Sequence, residues 1–205
     1  QRLPLRKRRN GMLKSFTQAA ADYCAAAKNR TRQSVPRLLI LGILAGMFIA
    51  LAGTAASVGG ALAGKIASAA IFPAGLAMVI LAGSELFTGN CLFLLPLLRG
   101  DITGGRTMGS WAIVYCGNLI GSIVIAFVVV RCGVLDSIAP AAIATAAAKA
   151  SLPFGAAFLR GVLCNLLVCL AVWMAFCAGS AGGKVISLYG PIFLFVLCGF
   201  EHSIA

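Results

Sequence analysis

Between Ile66 and Leu98 the chain runs 33 residues without a Lys or Arg and with one acidic residue, Glu85. As a single α-helix this stretch would be about 50 Å long, against a bilayer hydrocarbon core of about 30 Å. Its middle reads AGSELFTGN, which gathers Gly, Ser, Glu, Thr, Gly and Asn. The pattern predicts two half-helices, Ile66–Ala82 and about Cys91–Leu98, joined by a loop that Glu85, Gly89 and Asn90 shape. Irregular backbone survives at membrane depth only where protein or a water-lined cavity satisfies it. A tilted helix ending in an interfacial hairpin is the alternative.

Apolar runs flank this stretch on both sides. Spans are expected at Leu38–Ser57, at Trp111–Val130, through FGAAFLRGVLCNLLVCLAVWMAFCA, and from beyond Lys184 to the closing CGFEHSIA. Arg131 to Ser151 reads as a loop. Charged residues make up 11% of the chain, where soluble domains carry about a quarter, so a multi-pass membrane protein is the class indicated. The Leu38–Ser57 run is too long for the core of a signal peptide.

The net charge of +12 would suit nucleic acid only if the cations formed a face. Instead, ten of the seventeen Lys and Arg residues precede Leu38. Residues 1–37 therefore read as a basic arm on the cytoplasmic side, with SFTQAAADYCAAAKN as a short surface helix, and 38–205 as the transmembrane pore domain. Alternating spans put Arg99, Arg106 and Lys184 on that same side and only Lys65, Arg131 and Lys149 opposite, with Arg160 snorkelling outward. The expected setting is the plasma membrane, with no nucleic-acid partner. The eight cysteines contain no C-x-x-C pair and read as packing residues, so no metal or cofactor site is expected. The glycosylation sequon at Asn29–Thr31 falls in the cytoplasmic arm and is set aside.

LAGSE (Leu81–Glu85) recurs as LCGFE (Leu197–Glu201), 116 residues on, and LAGMFIALA (Leu44–Ala52) parallels LCNLLVCLA (Leu163–Ala171) at 119. Two matches at nearly one offset, in corresponding spans of opposite direction, indicate an inverted repeat with broken second and fifth helices. In transporters and channels of that design the paired breaks form the site. The second copy stops four residues past Glu201, so the chain reads as truncated before a sixth span, and EHSIA as the start of a second midplane loop.

LFTGN (Leu86–Asn90), CNLLVCLAVW (Cys164–Trp173) and GFEHSIA (Gly199–Ala205), in this order and spacing, resemble the characteristic stretches of the formate/nitrite transporter family. The resemblance runs from about Ser15 to the end and includes LLILGILAGMFIALAG. It implies an all-α, aquaporin-like protomer of six spans. It also implies a homo-pentamer with one pore per protomer, moving small monovalent anions (formate, nitrite or hydrosulfide) with protons as a candidate companion. By the same resemblance Phe72, Leu76, Phe87, Val168 and Phe195 narrow the pore; by periodicity alone they are ordinary packing residues.

His202, the only histidine, is the leading site candidate. An ionisable residue at membrane depth marks function by default, although a lone histidine in an apolar segment is often only a satisfied polar group. With an ordinary pKa of about 6.5 it can hydrogen-bond an anion and lend it a proton, sparing a bare anion its desolvation. Thr88 is the expected partner from the first loop, since a hydroxyl both donates and accepts. Asn165 offers an amide nearby, or else a packing hydrogen bond between helices. Lys149 is either an outer anion attractant or a plain loop lysine. Glu85 and Glu201 are expected to face away from the lumen and to bind loop N–H groups. An aquaporin-like neutral-solute channel is the runner-up, but it needs neither His202 nor Lys149. An enzyme would need clustered carboxylates, metal ligands or a nucleophile with its base, which one histidine and two separated glutamates do not supply.

Overall fold

The computed structural model describes residues 13–205, so the first part of the basic arm lies outside the described residues. Every regular element among them is helical. Helix α1 (Phe16–Arg30) starts where the Ser15 hydroxyl accepts from the Gln18 N–H and ends with Lys28 and Arg30 in its last turn, where cations suit the helix dipole. It is more than the surface helix expected. Tyr23 and Ala27 are buried with Phe93 and Ile102, and Trp173 and Phe176 pack against them.

Helix α2 (Val35–Ile71) begins with Pro36 in its first turn and is not straight. At Gly64 (φ 82°, ψ 179°) the backbone leaves helical geometry and the chain folds back, so that a Cβ on Gly60 would meet Ser68 and one on Gly75 would meet Ala52. Positive φ at this turn is the reason for glycine. The returning limb continues through Phe72 into α3 (Pro73–Ala82), which ends at Gly83 in the left-handed conformation (φ 69°). Residues 84–86 are non-helical. The chain becomes helical again in α4 (Phe87–Asn90), a 3-10 turn at Cys91–Phe93, and α5 (Leu94–Leu98). The irregular segment is thus shorter than the sequence indicates: Gly89 and Asn90 lie in α4, and the second part starts at Phe87 rather than Cys91.

Helix α6 (Gly104–Arg131) follows, longer at both ends than the predicted Trp111–Val130. The region read as a loop holds α7 (Ala139–Ala150), a helix opened by Pro140 and without buried residues. Helices α8 (Phe154–Cys177) and α9 (Ala181–Cys198) complete the set, and α9 also ends on a left-handed glycine, Gly199 (φ 72°). Four stretches are long and apolar enough to cross a membrane: Val35–Ala82, Gly104–Arg131, Phe154–Cys177 and Ala181–Cys198. The first, at 48 residues, is the one folded at Gly64.

The most extensive packing joins α2 and α6. It depends on glycine: a Cβ on Gly46 would collide with the Asn118 carbonyl, and one on Gly121 with that of Ile43. Close approach through small residues compensates for the weak hydrophobic drive between helices in lipid. The central core forms where α2, α3, α8 and α9 meet, around Ile49, Leu76, Leu86, Val168, Ile192 and Phe195. Large apolar side chains left exposed on α6 and α8, among them Ile123, Phe127, Leu159 and Leu166, suit a lipid or protein-facing exterior.

Candidate functional site at two helix ends

The ends of α3 and α9 are built alike. In the first, the Gly83 N–H donates to Ile80 O (3.4 Å) and the Ser84 N–H to Val79 O (3.1 Å). In the second, the Gly199 N–H donates to Val196 O (3.1 Å) and the Phe200 N–H to Phe195 O (3.0 Å). Each pair of bonds lies 116 residues from its counterpart and closes its helix through a left-handed glycine, which frees the next residues to turn away.

The two segments that follow meet. Thr88, in the first turn after residues 84–86, places its hydroxyl 3.1 Å from His202 Nε2, and both side chains are buried. His202 Nδ1 accepts from two backbone amides, those of Ile204 (3.1 Å) and Ala205 (3.2 Å). An imidazole nitrogen facing two donors carries no proton, so the proton sits on Nε2 and is donated to the Thr88 oxygen. The Thr88 O–H remains available to another acceptor. In this arrangement the neutral imidazole is a hydrogen-bond donor, and it becomes an acid only if both amides let Nδ1 go. Aromatic rings surround it, with Phe195 stacked at 5.7 Å and Phe72 edge-on at 6.5 Å. Those two rings also touch each other at 5.5 Å.

Of the residues expected to narrow a pore, Phe72, Leu76, Val168 and Phe195 are brought together in one buried cluster. Phe87 is not among them. Its ring lies 5.2 Å from Tyr115 and 6.4 Å from Trp111 and lines a neighbouring recess with Thr88, while Leu86 occupies the cluster. After a non-helical segment the register of the following turn decides which side chain points inward, and sequence alone does not set that register.

Asn165 lies beside the pair and lines a recess with Thr88, Cys91, Glu201 and Ser203. Its Oδ1 is buried without a hydrogen-bond partner, and its Nδ2 reaches only the Cys169 sulfur at 3.9 Å.

Both glutamates pair with cations rather than with the loop N–H groups expected. Glu85 takes a two-point contact from Arg30 (Nε–Oε1 2.7 Å) and a hydrogen bond from Asn90 Nδ2 (2.8 Å), while Arg30 also donates to Asn90 Oδ1 (2.9 Å). Glu201 pairs with Lys149 and lies 3.9 Å from Arg160. Lys149 is therefore neither a plain loop lysine nor a free attractant, because a carboxylate already holds it. Arg30 and Lys149 both come from short helices, those before α2 and α8, so each glutamate is tied to a short helix earlier in the chain.

Two contributors escaped the sequence reading. Asn118 staples the first segment: its Nδ2 donates to Gly42 O (2.7 Å) and Glu85 O (2.9 Å), and its Oδ1 accepts from the Phe87 N–H (2.9 Å). A lone amide inside an apolar span was the available signal. Arg30 was one cation among ten in the arm, and nothing local marks it out. Among the described residues no group of His, Cys, Asp and Glu could hold a metal ion.

Residues 17–205 match the family model described as formate/nitrite transporter. The chain is 37% identical over 221 residues to a probable formate transporter from Methanothermobacter thermautotrophicus, covering 94% of this chain and 80% of that one. Among solved structures it is similar to an FNT family ion channel (TM-score 0.82, 30% identity, 92% of this chain and 80% of the other). It is also similar to a pentameric formate channel with formate bound (TM-score 0.73, 33% identity, 82% and 70%). The matched proteins are transporters and channels, not enzymes.

Proposed function

Because the chain belongs to the formate/nitrite transporter family, we propose that it forms a membrane pore for a small monovalent anion, with formate or nitrite as the foremost candidates and hydrosulfide next. The observation that carries this reading is the Thr88–His202 pair, a buried donor set held between Phe72 and Phe195. Apolar rings alone would exclude an ion, and the Thr88 O–H, which the imidazole leaves free, replaces part of its water. The helix ends at Gly83 and Gly199 are read as the breaks of an aquaporin-like inverted repeat, with the pore running between α3 and α9. The arm faces the cytoplasm and the protein resides in the plasma membrane, following the charge bias of the loops. The assembly is a homo-pentamer, as in the formate channel to which the chain is similar. A neutral-solute channel of like shape is the weaker reading, since it would not call for this donor pair.

Within the site, His202 serves first as a fixed hydrogen-bond donor. Transfer of its proton to the anion is a second reading, supported by the enclosure of the imidazole between two aromatic rings, which favours passage of a neutral acid. Proteoliposomes offered formate, nitrite, hydrosulfide, acetate and chloride from pH 5 to 8 separate these readings. Formate or nitrite flux well above chloride is the expected result. Equal, protein-independent leakage of all five would end the anion-channel reading. A pH profile for His202→Asn that superimposes on the wild type indicates a donor only, and a displaced profile indicates proton transfer.

A further inference from the structure

A cavity of about 340 Å³ opens beneath the end of α3, on the face where α1 docks, between Tyr23, Arg30, Gly83, Phe176 and Lys184. Its polar groups divide in two. Glu85, Arg30 and Asn90 also line it, but they satisfy one another. The Tyr23 hydroxyl and Gln33 Oε1 are buried without any partner. Lys184 makes no ion pair with a carboxylate among the described residues. Its place in the first turn of α9 is one that the helix dipole penalises for a cation, so helix stability does not account for it. The amides at the start of α9 add to its positive field. Lys65 stands 119 residues earlier, directly after the Gly64 turn, with its Nζ 3.7 Å from where a Gly199 Cβ would sit. Lys65 thus lies at the start of one limb and beside the glycine that ends α9, while Lys184 lies at the start of α9 and lines the cavity with Gly83.

We propose that this cavity is a loading site where a small monovalent anion waits before entering the constriction, bound by the Lys184 ammonium and the Tyr23 O–H. Gln33 Oε1 accepts from the lysine or from a water carried with the ion. The carboxylate of Glu85 does not repel the anion, because Arg30 and Asn90 hold it on the cavity wall. The inference rests on the anion-channel reading above, and it assigns the approach from the α1 side alone.

Formate and nitrite flux through the full protein, in vesicles sorted as inside-out and right-side-out, tests it. Lys184→Gln is expected to raise the half-saturating concentration about three- to tenfold for anion added on the α1 side, as loss of one half-exposed charge-assisted contact should. For anion added on the other side the value stays within twofold. Lys184→Arg restores it, and Tyr23→Phe, which keeps the ring packed, raises it about threefold on the same side. Unchanged values in both Lys184→Gln and Tyr23→Phe, or an equal rise from both sides, would overturn the loading site. Wild-type flux distinguishes the failures: a conducting wild type with unaffected variants removes this site only, while a wild type that moves no anion removes the channel reading and the site with it.

Discussion

At the scale of single residues, the site is a competition for protons and lone pairs. His202 donates a hydrogen bond from Nε2–H to the Thr88 oxygen because two amides occupy Nδ1, so the hydroxyl is held with its own proton free. Thr88→Val should lower anion flux about fivefold, whereas Thr88→Ser, which keeps the hydroxyl, should stay within about twofold; a net hydrogen bond of about 1 kcal/mol sets that scale. Flux in proteoliposomes decides, and equal activity of the Val and Ser variants would remove Thr88 from the path. A second prediction concerns Arg30. Its substitution by Ala leaves the Glu85 carboxylate, 3% exposed, without its cation, at a cost of about 3 kcal/mol or more. Thermal unfolding in detergent should shift downward, and Glu85→Gln added to Arg30→Ala should recover most of the loss. His202 and Thr88 were legible in the sequence because polar groups are rare there and need a reason. Arg30 was not, because a cation in a basic arm is ordinary until its distant partner is known. The facing of Phe87 and Leu86 was equally hidden, since one residue of register separates them.

Among whole elements, the α2–α6 contact shows how little side chain this fold uses where it packs most. Gly121→Leu should drive the two helices apart and abolish the folded protein, because the backbone of α2 leaves no room there. Gly105→Ala, at the open start of α6, should be harmless. Size-exclusion profiles of the two variants side by side check the contrast, and a well-folded Gly121→Leu would mean that the interface yields. The spans themselves could be read from apolar runs, since the bilayer fixes their length. Helix α7 could not: its twelve alanine-rich residues bury nothing, and neither periodicity nor length separates such a segment from a loop. The early return to helix at Phe87 was missed for a related reason. Gly89 and Asn90 look like breakers, but a tertiary hydrogen bond from the Phe87 N–H to Asn118 starts the turn ahead of them.

For the molecule as a whole, the sequence carries two short matches at offsets of 116 and 119, and the backbone hydrogen bonds at the two helix ends are related by 116. If the exposed apolar faces of α6 and α8 meet other protomers as well as lipid, native mass spectrometry in mild detergent should give five copies of the chain; a lone protomer as the only species would count against the pentamer. The correspondence does not extend to the side chains. At an offset of 116, His202 falls opposite Leu86, so one half presents an imidazole where the other presents a methyl-rich wall. On the proposed route, a particle travelling in one direction therefore meets the imidazole and the Thr88 hydroxyl in a different order from one travelling back. Microscopic reversibility forbids a passive conduit from turning that lopsidedness into accumulation. It surfaces only as unequal initial velocities under one-sided load, and it vanishes from the final distribution.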